Sequence, residues 1–386
     1  MGSPVDLLEV LLGKTPADYD VLQSTGRKLV LYGAGTLGRS LLKRLRAGGI
    51  EPIAFADDTP SKQGQMLDGL EILFPEQVAA RFGSDFVFAV TILNPALRFL
   101  EAEERLRRRT GRDVLSLLAL AKTFPDALFP YLQYDRPARI LESASQIRRA
   151  FNILSDDRSR EEFVAHLHFR LTARYQLLPA KSTPAYFPPG LVSEFSDDCI
   201  FVDCGAYDGD SMRQFLRHQH GHFGAIVAFE PDRRNFETLA NYVRSLGAET
   251  ASRIHLHHGA IGDHTGETPF DETGDMSAAV HPDATGKVAL FALDDVVRPE
   301  GSEIYIKFDI EGFEQQALEG ARSLLRAQRP TLAVSAYHRP GDLWEIPLYL
   351  HDLDIGYRLS LRTEGDDGMD LVCYALPAES NPATPA

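Results

Sequence analysis

Two segments of this chain repeat one pattern. A short apolar run leads into a glycine-rich turn, then an amphipathic stretch, then a second apolar run ending in an acid. The first copy is KLVLY (28–32), GAGTLGRSLLKRLRAGG, and IAFAD (53–57). The second is CIFVDC (199–204), GAYDGDS, and AIVAFE (225–230). Apolar runs of this length read as buried parallel strands, and a glycine turn followed by a helix is how such strands connect. The pattern therefore predicts an α/β chain with two Rossmann-like units. FVFAV (86–90) adds a strand to the first unit. RIHLHH, EIYIKFD and TLAVSAY continue the second, and YRLSLR and LVCYAL read as a closing hairpin. Residues 263–293, rich in Gly, Thr and Asp, read as a β-rich insertion.

At 386 residues the chain has room for two or three domains. The expected division is a nucleotide-binding unit over 1–137, a helical linker over 138–198, a second α/β unit over 199–376 and a disordered tail over 377–386. Pro-rich STPAYFPPG (182–190) marks the end of the linker. Lys and Arg number 40 against 55 Asp and Glu, a net charge of −15, so no nucleic-acid partner is expected. Cys199, Cys204 and Cys373 form neither a disulfide framework nor a zinc pattern. The longest apolar run, VLSLLALA, is too short to cross a bilayer. The opening MGSPVDLLEVLLG lacks the basic region of a signal peptide. The expected location is cytoplasmic.

The two turns carry different chemistry. Gly33, Gly35 and Gly38 form GxGxxG, with Asp57 and Asp58 about 20 residues on, as in a dinucleotide fingerprint. This turn marks a candidate site for a nucleotide or nucleotide sugar, or a nucleotide fold with a repurposed crevice. The second turn is opened by Asp203 and continues through Gly205, Ala206, Tyr207 and Gly209, with Glu230 and Pro231 at the next strand end. An acid at its entrance suits a cationic or zwitterionic ligand better than a phosphate. Glu230 can accept both hydroxyls of a ribose. Asp203 can orient the loop or meet an ammonium. Adenosine, an amino acid and positive charge together describe S-adenosylmethionine.

With these residues in place, the chain resembles the FkbM-type S-adenosylmethionine-dependent methyltransferases. The segments that carry the resemblance are FVDCGAYDGDS, VAFEPD, ALFALDDVV, IYIKFDIEGFEQQALEGA and SAYHRPGDLWEIP, which together span about 199–376. The resemblance implies a class I methyltransferase fold with a mostly parallel seven-stranded sheet. It also implies O-methylation of a sugar, glycan precursor or secondary metabolite. It places Ala260 and Ile261 at the adenine edge and Ser277 near the cofactor.

Methyl transfer to an alcohol needs alignment and a base or a metal. Asp309 ends one strand and His338 follows another, so both are expected in one cleft. His338 is the first candidate for general base, with Asp309 and Glu311 beside it. Asp309, Glu311, His338 and Asp342 are alternatively candidate ligands for Mg²⁺ or Mn²⁺. Lys307 is expected to pair with Asp309 or Glu311, or to point away. Two other functions compete: a nicotinamide-dependent oxidoreductase built on the first turn, and a non-catalytic nucleotide sensor. No Tyr-x-x-x-Lys follows the fingerprint to support the former.

Overall fold

The computed structural model describes residues 3–19, 26–93, 97–271, 279–280, 286–299 and 301–378. Ser277 and the tail beyond Ala378 lie outside them. The residues group into two compact units whose segments interleave along the chain. One holds residues up to Ser145, with Val164–Pro179 and Gly365–Gly368. The other holds Gln146–Phe163, Ala180–Glu364 and the chain from Met369 on. The stretch read as a linker holds the helices Pro137–Glu142, Ala144–Ile153 and Asp157–Thr172, and it supplies residues to both units.

The first unit is built on six strands: β1 (Lys28–Tyr32), β2 (Ala54–Ala56), β3 (Met66–Leu67), β4 (Leu70–Leu73), β5 (Phe86–Val90) and β6 (Val114–Leu115). They lie in the order β3-β4-β2-β1-β5-β6, parallel except for the β3–β4 pair. The order reverses beside β1, so the GxGxxG turn opens at the switch point, where such sheets bind ligands. The helix Thr36–Ala47 follows that turn and buries Leu41, Leu42 and Leu45 against the sheet.

The second unit has a seven-stranded sheet made of β7 (Ile200–Cys204), β8 (Ala225–Glu230), β9 (Ile254–His258), β14 (Ile304–Phe308), β15 (Thr331–Ser335), β16 (Tyr357–Thr363) and β17 (Leu371–Pro377). Their order is β16-β17-β15-β14-β7-β8-β9. The expected hairpin is present, with β16 and β17 antiparallel, and β17 is also antiparallel to β15; the other pairings are parallel. The insertion forms a four-stranded sheet of β10 (Ala260–Ile261), β11 (Gly266–Asp271), β12 (Ala279–Val280) and β13 (Gly286–Phe291). The order of the large sheet reverses between β7 and β14, so the second glycine turn and Asp309 emerge side by side.

The helix Asp210–His218 presents Met212 and Phe215 to the sheet, and the Phe215 ring stacks on Phe201 of β7 at 4.5 Å. Each fully buried large apolar side chain of this kind contributes about 1.5–3 kcal/mol. The outer edge of β16 is partly covered within the unit, where Ser155 donates its backbone N–H to the Leu359 carbonyl at 2.8 Å. Among the described residues no helix is long and apolar enough to cross a membrane. All three cysteines are buried free thiols.

Candidate active site

The turn after β7 is shaped by its glycines. Gly205 has φ +85°, and a Cβ there would lie 1.9 Å from the Asp309 carbonyl oxygen, so only glycine fits. Gly209, at φ +92°, starts the helix Asp210–His218 with no side-chain cap of its own. The turn hangs from β8, because Gly205 and Ala206 both donate N–H to the Phe229 carbonyl at 3.0 and 2.9 Å.

Glu230 ends β8 and is 5% exposed. Its Oε2 accepts the Tyr207 N–H and its Oε1 the Asp232 N–H, each at 2.9 Å. The Asn235 side chain is a third donor to this carboxylate, so of its roughly four acceptor positions one is left for a ligand hydroxyl. Burial pushes the Glu230 carboxyl up to about 7, against the pull of these donors. Beside it, Gly259 donates its N–H to the Glu230 carbonyl, which brings β10 to the same edge. Ala260 and Ile261 are buried and pair with Leu290 and Phe291 of β13.

Asp203 is fully buried. Its Oδ1 accepts from Lys307 Nζ at 3.1 Å and its Oδ2 from Ser211 Oγ at 2.6 Å. Lys307 also donates to the Gly205 carbonyl at 2.6 Å. Burial opposes its charge, but Asp203, Asp309 and Asp210 outweigh that and hold the ammonium firmly protonated. Two expectations are corrected here. Asp203 cannot meet a ligand ammonium directly, because an internal one already occupies it. Lys307 pairs with neither Asp309 nor Glu311 but props up the turn.

The acceptor side is an acidic cluster around one imidazole. Asp309, just after β14, accepts Tyr186 OH at 2.8 Å and Ser335 Oγ at 2.9 Å. Burial alone would raise its carboxyl, yet Lys307, His338 and these hydroxyls hold it below its ordinary value. Glu311 follows at φ +54°, a backbone strain of the kind that gathers at functional positions, and its side chain is 39% exposed. Loss of surrounding water pushes its carboxyl up to about 7, with His338 opposing and Asp309, Glu314 and Asp370 adding to the rise. His338 is buried. Its Nδ1 lies 2.8 Å from Glu314 Oε1, while Nε2 lies 3.4 Å from Asp309 and 3.7 Å from Glu311. Burial would lower the imidazole, but Glu314, Glu311 and Asp309 carry it to about 10.

The surrounding carboxylates favour the imidazolium form of His338, which weighs against its expected role as the free base. The expected metal set is corrected as well. No group of three or more His, Cys, Asp or Glu among the described residues is placed to hold an ion. Asp342 instead accepts the Arg339 N–H at 2.7 Å, at the start of the helix Asp342–Asp352.

Three residues of the site, Tyr186, Ser335 and Asp370, carried no clear signal in the sequence; Glu314, in the first turn of its helix, reads as readily as an acid favoured by the helix dipole. Tyr186 sits in the Pro-rich segment read as a boundary, and Ser335 ends β15. Glu314 is 1% exposed, and Asp370 hydrogen-bonds Tyr337. Trp344 is buried and packs in the core, its indole N–H unpartnered among the described residues.

In the first unit, Gly33 has φ +121°, and a Cβ on Gly38 would meet the Gly33 carbonyl at 2.0 Å. Both glycines are required by close packing, whereas Gly35 faces open space. Asp57 Oδ2 accepts the Ala34 N–H at 2.9 Å, the same task Glu230 performs for Tyr207. Lys62 and the Thr59 N–H also engage Asp57. Asp58 has the fingerprint spacing but is paired with Arg109 at 2.8 Å and accepts Tyr32 OH at 2.7 Å.

Residues 203–359 match the family described as the methyltransferase FkbM domain. The solved structure of methyltransferase FkbM from Methylobacillus flagellatus KT is 26% identical. The match covers 97% of this chain and 99% of that one, with a TM-score of 0.78. UDP-D-quinovosamine 4-dehydrogenase from Vibrio fischeri is 28% identical over 23% of this chain and 76% of that one, at a TM-score of 0.20. An rRNA methylase from Streptococcus thermophilus is 17% identical over 48% and 90%, at 0.31. Superpositions as loose as the last two carry no argument. No curated protein matches the sequence.

Proposed function

We propose, for a chain that carries a methyltransferase FkbM domain over residues 203–359 and is a methyltransferase, that it uses S-adenosylmethionine to methylate a hydroxyl of a sugar, glycan precursor or secondary metabolite. The observation that carries this reading is the contact of two half-sites. The glycine turn that would receive the cofactor touches the Asp309 backbone, and Asp309, Glu311 and His338 stand beside it.

The residues fit the cofactor. Glu230 retains an acceptor position for a ribose hydroxyl. Gly205 and Gly209 let a ligand approach the backbone, and β10 offers a backbone edge for the adenine. S-adenosylmethionine, when bound, supplies an electrophilic methyl carbon on a sulfonium. Asp309 then lies where a carboxylate favours positive charge.

An alcohol must lose its proton as it is methylated. Glu311 suits that step. It is exposed enough to reach an acceptor and to pass the proton on to water, and the neighbouring Asp309, Glu314 and Asp370 raise its affinity for a proton. Imidazolium His338, fixed by Glu314, can donate to the acceptor oxygen as the O–H bond weakens. Asp309 is locked by Tyr186 and Ser335, so it holds charge and position and exchanges no proton.

The test is incubation of the protein with methyl-labelled S-adenosylmethionine and a panel of sugars and hydroxylated metabolites. A product heavier by one methyl group that is stable to alkali and whose labelled carbon is bonded to oxygen by NMR is an ether and supports the reading. Label found only on amines or carboxylates would contradict it.

For the first unit we propose a nucleotide or nucleotide-sugar ligand at Gly33–Gly38. Open Gly35 at an uncapped helix start and the nearby Lys62 ammonium support this.

A further inference from the structure

Tyr186 is held more firmly than a residue in a Pro-rich connection needs to be. Its φ is +63°, a left-handed conformation that is uncommon and strained for a bulky side chain. Both of its backbone groups are taken by buried side chains. Its N–H donates to Glu364 Oε2 at 2.7 Å, and its carbonyl accepts Tyr305 OH at 2.5 Å. Its ring lies 5.3 Å from Lys307 Nζ, and its hydroxyl donates to Asp309 Oδ2 at 2.8 Å. Strain of this kind persists only where the surroundings over-determine it, and here they deliver one hydroxyl to one carboxylate oxygen. Tyr186 stands ahead of residues 203–359, the part that matches the family domain.

A second, independent observation is the bond that Asp309 does not make. Ser335 Oγ donates to its other oxygen, Oδ1, at 2.9 Å. His338 Nε2 lies 3.4 Å from that same carboxylate oxygen. The His338 side chain is 6% exposed, yet Nε2 makes no hydrogen bond among the described residues. The other ring nitrogen, Nδ1, is engaged by Glu314 Oε1 at 2.8 Å, which fixes the ring with Nε2 towards Asp309. Leaving a buried polar atom unpaired is costly, so a carboxylate this near closes on it unless something holds the carboxylate back. The two hydroxyls do so, one on each carboxylate oxygen.

Resting on the reading of this cluster as the acceptor side of a methyltransferase, we propose that Tyr186 is a positioning residue for methyl transfer: with Ser335 it holds Asp309 short of His338 and keeps Nε2 open for the acceptor oxygen. The carboxylates around the ring favour a protonated Nε2, which then donates to that oxygen. Without the Tyr186 hydroxyl, Asp309 swings onto Nε2, and an acceptor has to displace it. The Tyr186 ring has a separate place beside Lys307, the prop of the cofactor turn. Removing the hydroxyl alone therefore leaves the cofactor side as it is.

The test is NMR of the full-length protein with isotope-labelled histidine, with and without saturating S-adenosylhomocysteine. The His338 ring signals are those missing from the spectrum of His338→Gln. In the wild type, the Nε2 proton should exchange fast, as one without a protein partner, while Nδ1 shows a hydrogen-bonded proton. Tyr186→Phe should move the Nε2 proton downfield and slow its exchange by at least about tenfold, with Nδ1 and the S-adenosylhomocysteine affinity unchanged. Ser335→Ala frees the other carboxylate oxygen and should act in the same direction, which keeps the test decisive if Tyr186→Phe does not fold. With any acceptor methylated in the labelled assay, both variants should lose at least about tenfold in kcat at an unchanged KM for S-adenosylmethionine. An Nε2 proton already hydrogen-bonded in the wild type, identical Nε2 signals in the wild type and both variants, or undiminished kcat would overturn the proposal. Failure of the wild type to bind S-adenosylhomocysteine would instead remove the methyltransferase reading, while the histidine spectra would still decide whether Tyr186 holds Asp309 off Nε2.

Discussion

Replacing Lys307 with methionine tests whether a buried ion pair supports the cofactor turn. The Lys307 and Asp203 side chains are 2% and 0% exposed and 3.1 Å apart. Removing the ammonium leaves a carboxylate in the interior with Ser211 as its one remaining donor among the described contacts, and it strips the Gly205 carbonyl of its partner. Breaking a buried pair from one side costs about 3–5 kcal/mol. At roughly 2–4 °C per kcal/mol for a unit of this size, the melting temperature should fall by about 6–20 °C. Removing both charges, as in Asp203→Leu with Lys307→Met, avoids the stranded carboxylate. The Gly205 carbonyl is stranded in both variants, so the double variant exchanges the stranded carboxylate, about 3–5 kcal/mol, for an unpaired Ser211 hydroxyl, about 1–3 kcal/mol. The assay is scanning calorimetry with and without S-adenosylhomocysteine, whose binding should raise the transition of the second unit. The double variant should melt well above the single one. A single variant within about 2 °C of wild type, or a double variant that melts lower still, would refute the reasoning.

Three further outcomes follow from the geometry. Gly205→Ala would place a methyl group 1.9 Å from the Asp309 carbonyl in a left-handed backbone, so calorimetry should find S-adenosylhomocysteine binding abolished in a destabilised protein. Glu230 has a raised carboxyl pKa of about 7 and accepts a ribose hydroxyl best when ionised, so S-adenosylhomocysteine affinity should be flat above pH 7 and decline below it. Glu230→Gln should flatten that decline. His338 has a pKa raised from 6.5 to about 10, so its stabilising contribution is complete below pH 6.5 and is lost as pH rises through about 10. The difference in denaturation midpoint between wild type and His338→Gln should therefore be largest in acid and shrink towards pH 10.

Much of the fold was legible because strand periodicity and glycine turns are local signals. Asp203, Gly205, Gly209 and Glu230 lie within one strand–turn–helix–strand unit, and their spacing alone brings them together. The partners of the acceptor side are not local. Tyr186 reaches Asp309 across 123 residues and Lys307 reaches Asp203 across 104, so pairing depends on strand order. The charge state of His338 was hidden for the same reason. Glu314 is one helical step from Glu311 in sequence, but only the packing of β15 beside β14 brings the imidazole between them. In the first unit the spacing pointed to Asp58, whereas Asp57 holds the turn. Adjacent residues on a strand end point to opposite faces, and the sequence does not reveal which one finds Arg109.

The most direct test of the central claim is titration calorimetry of the wild-type protein and Glu230→Ala with S-adenosylhomocysteine. The site described here predicts micromolar binding by the wild type and a loss of at least about tenfold, or 1.4 kcal/mol, in the variant. A folded wild-type protein that takes up no S-adenosylhomocysteine, or a variant that binds it equally well, would contradict the assignment of the cofactor site to the turn after β7.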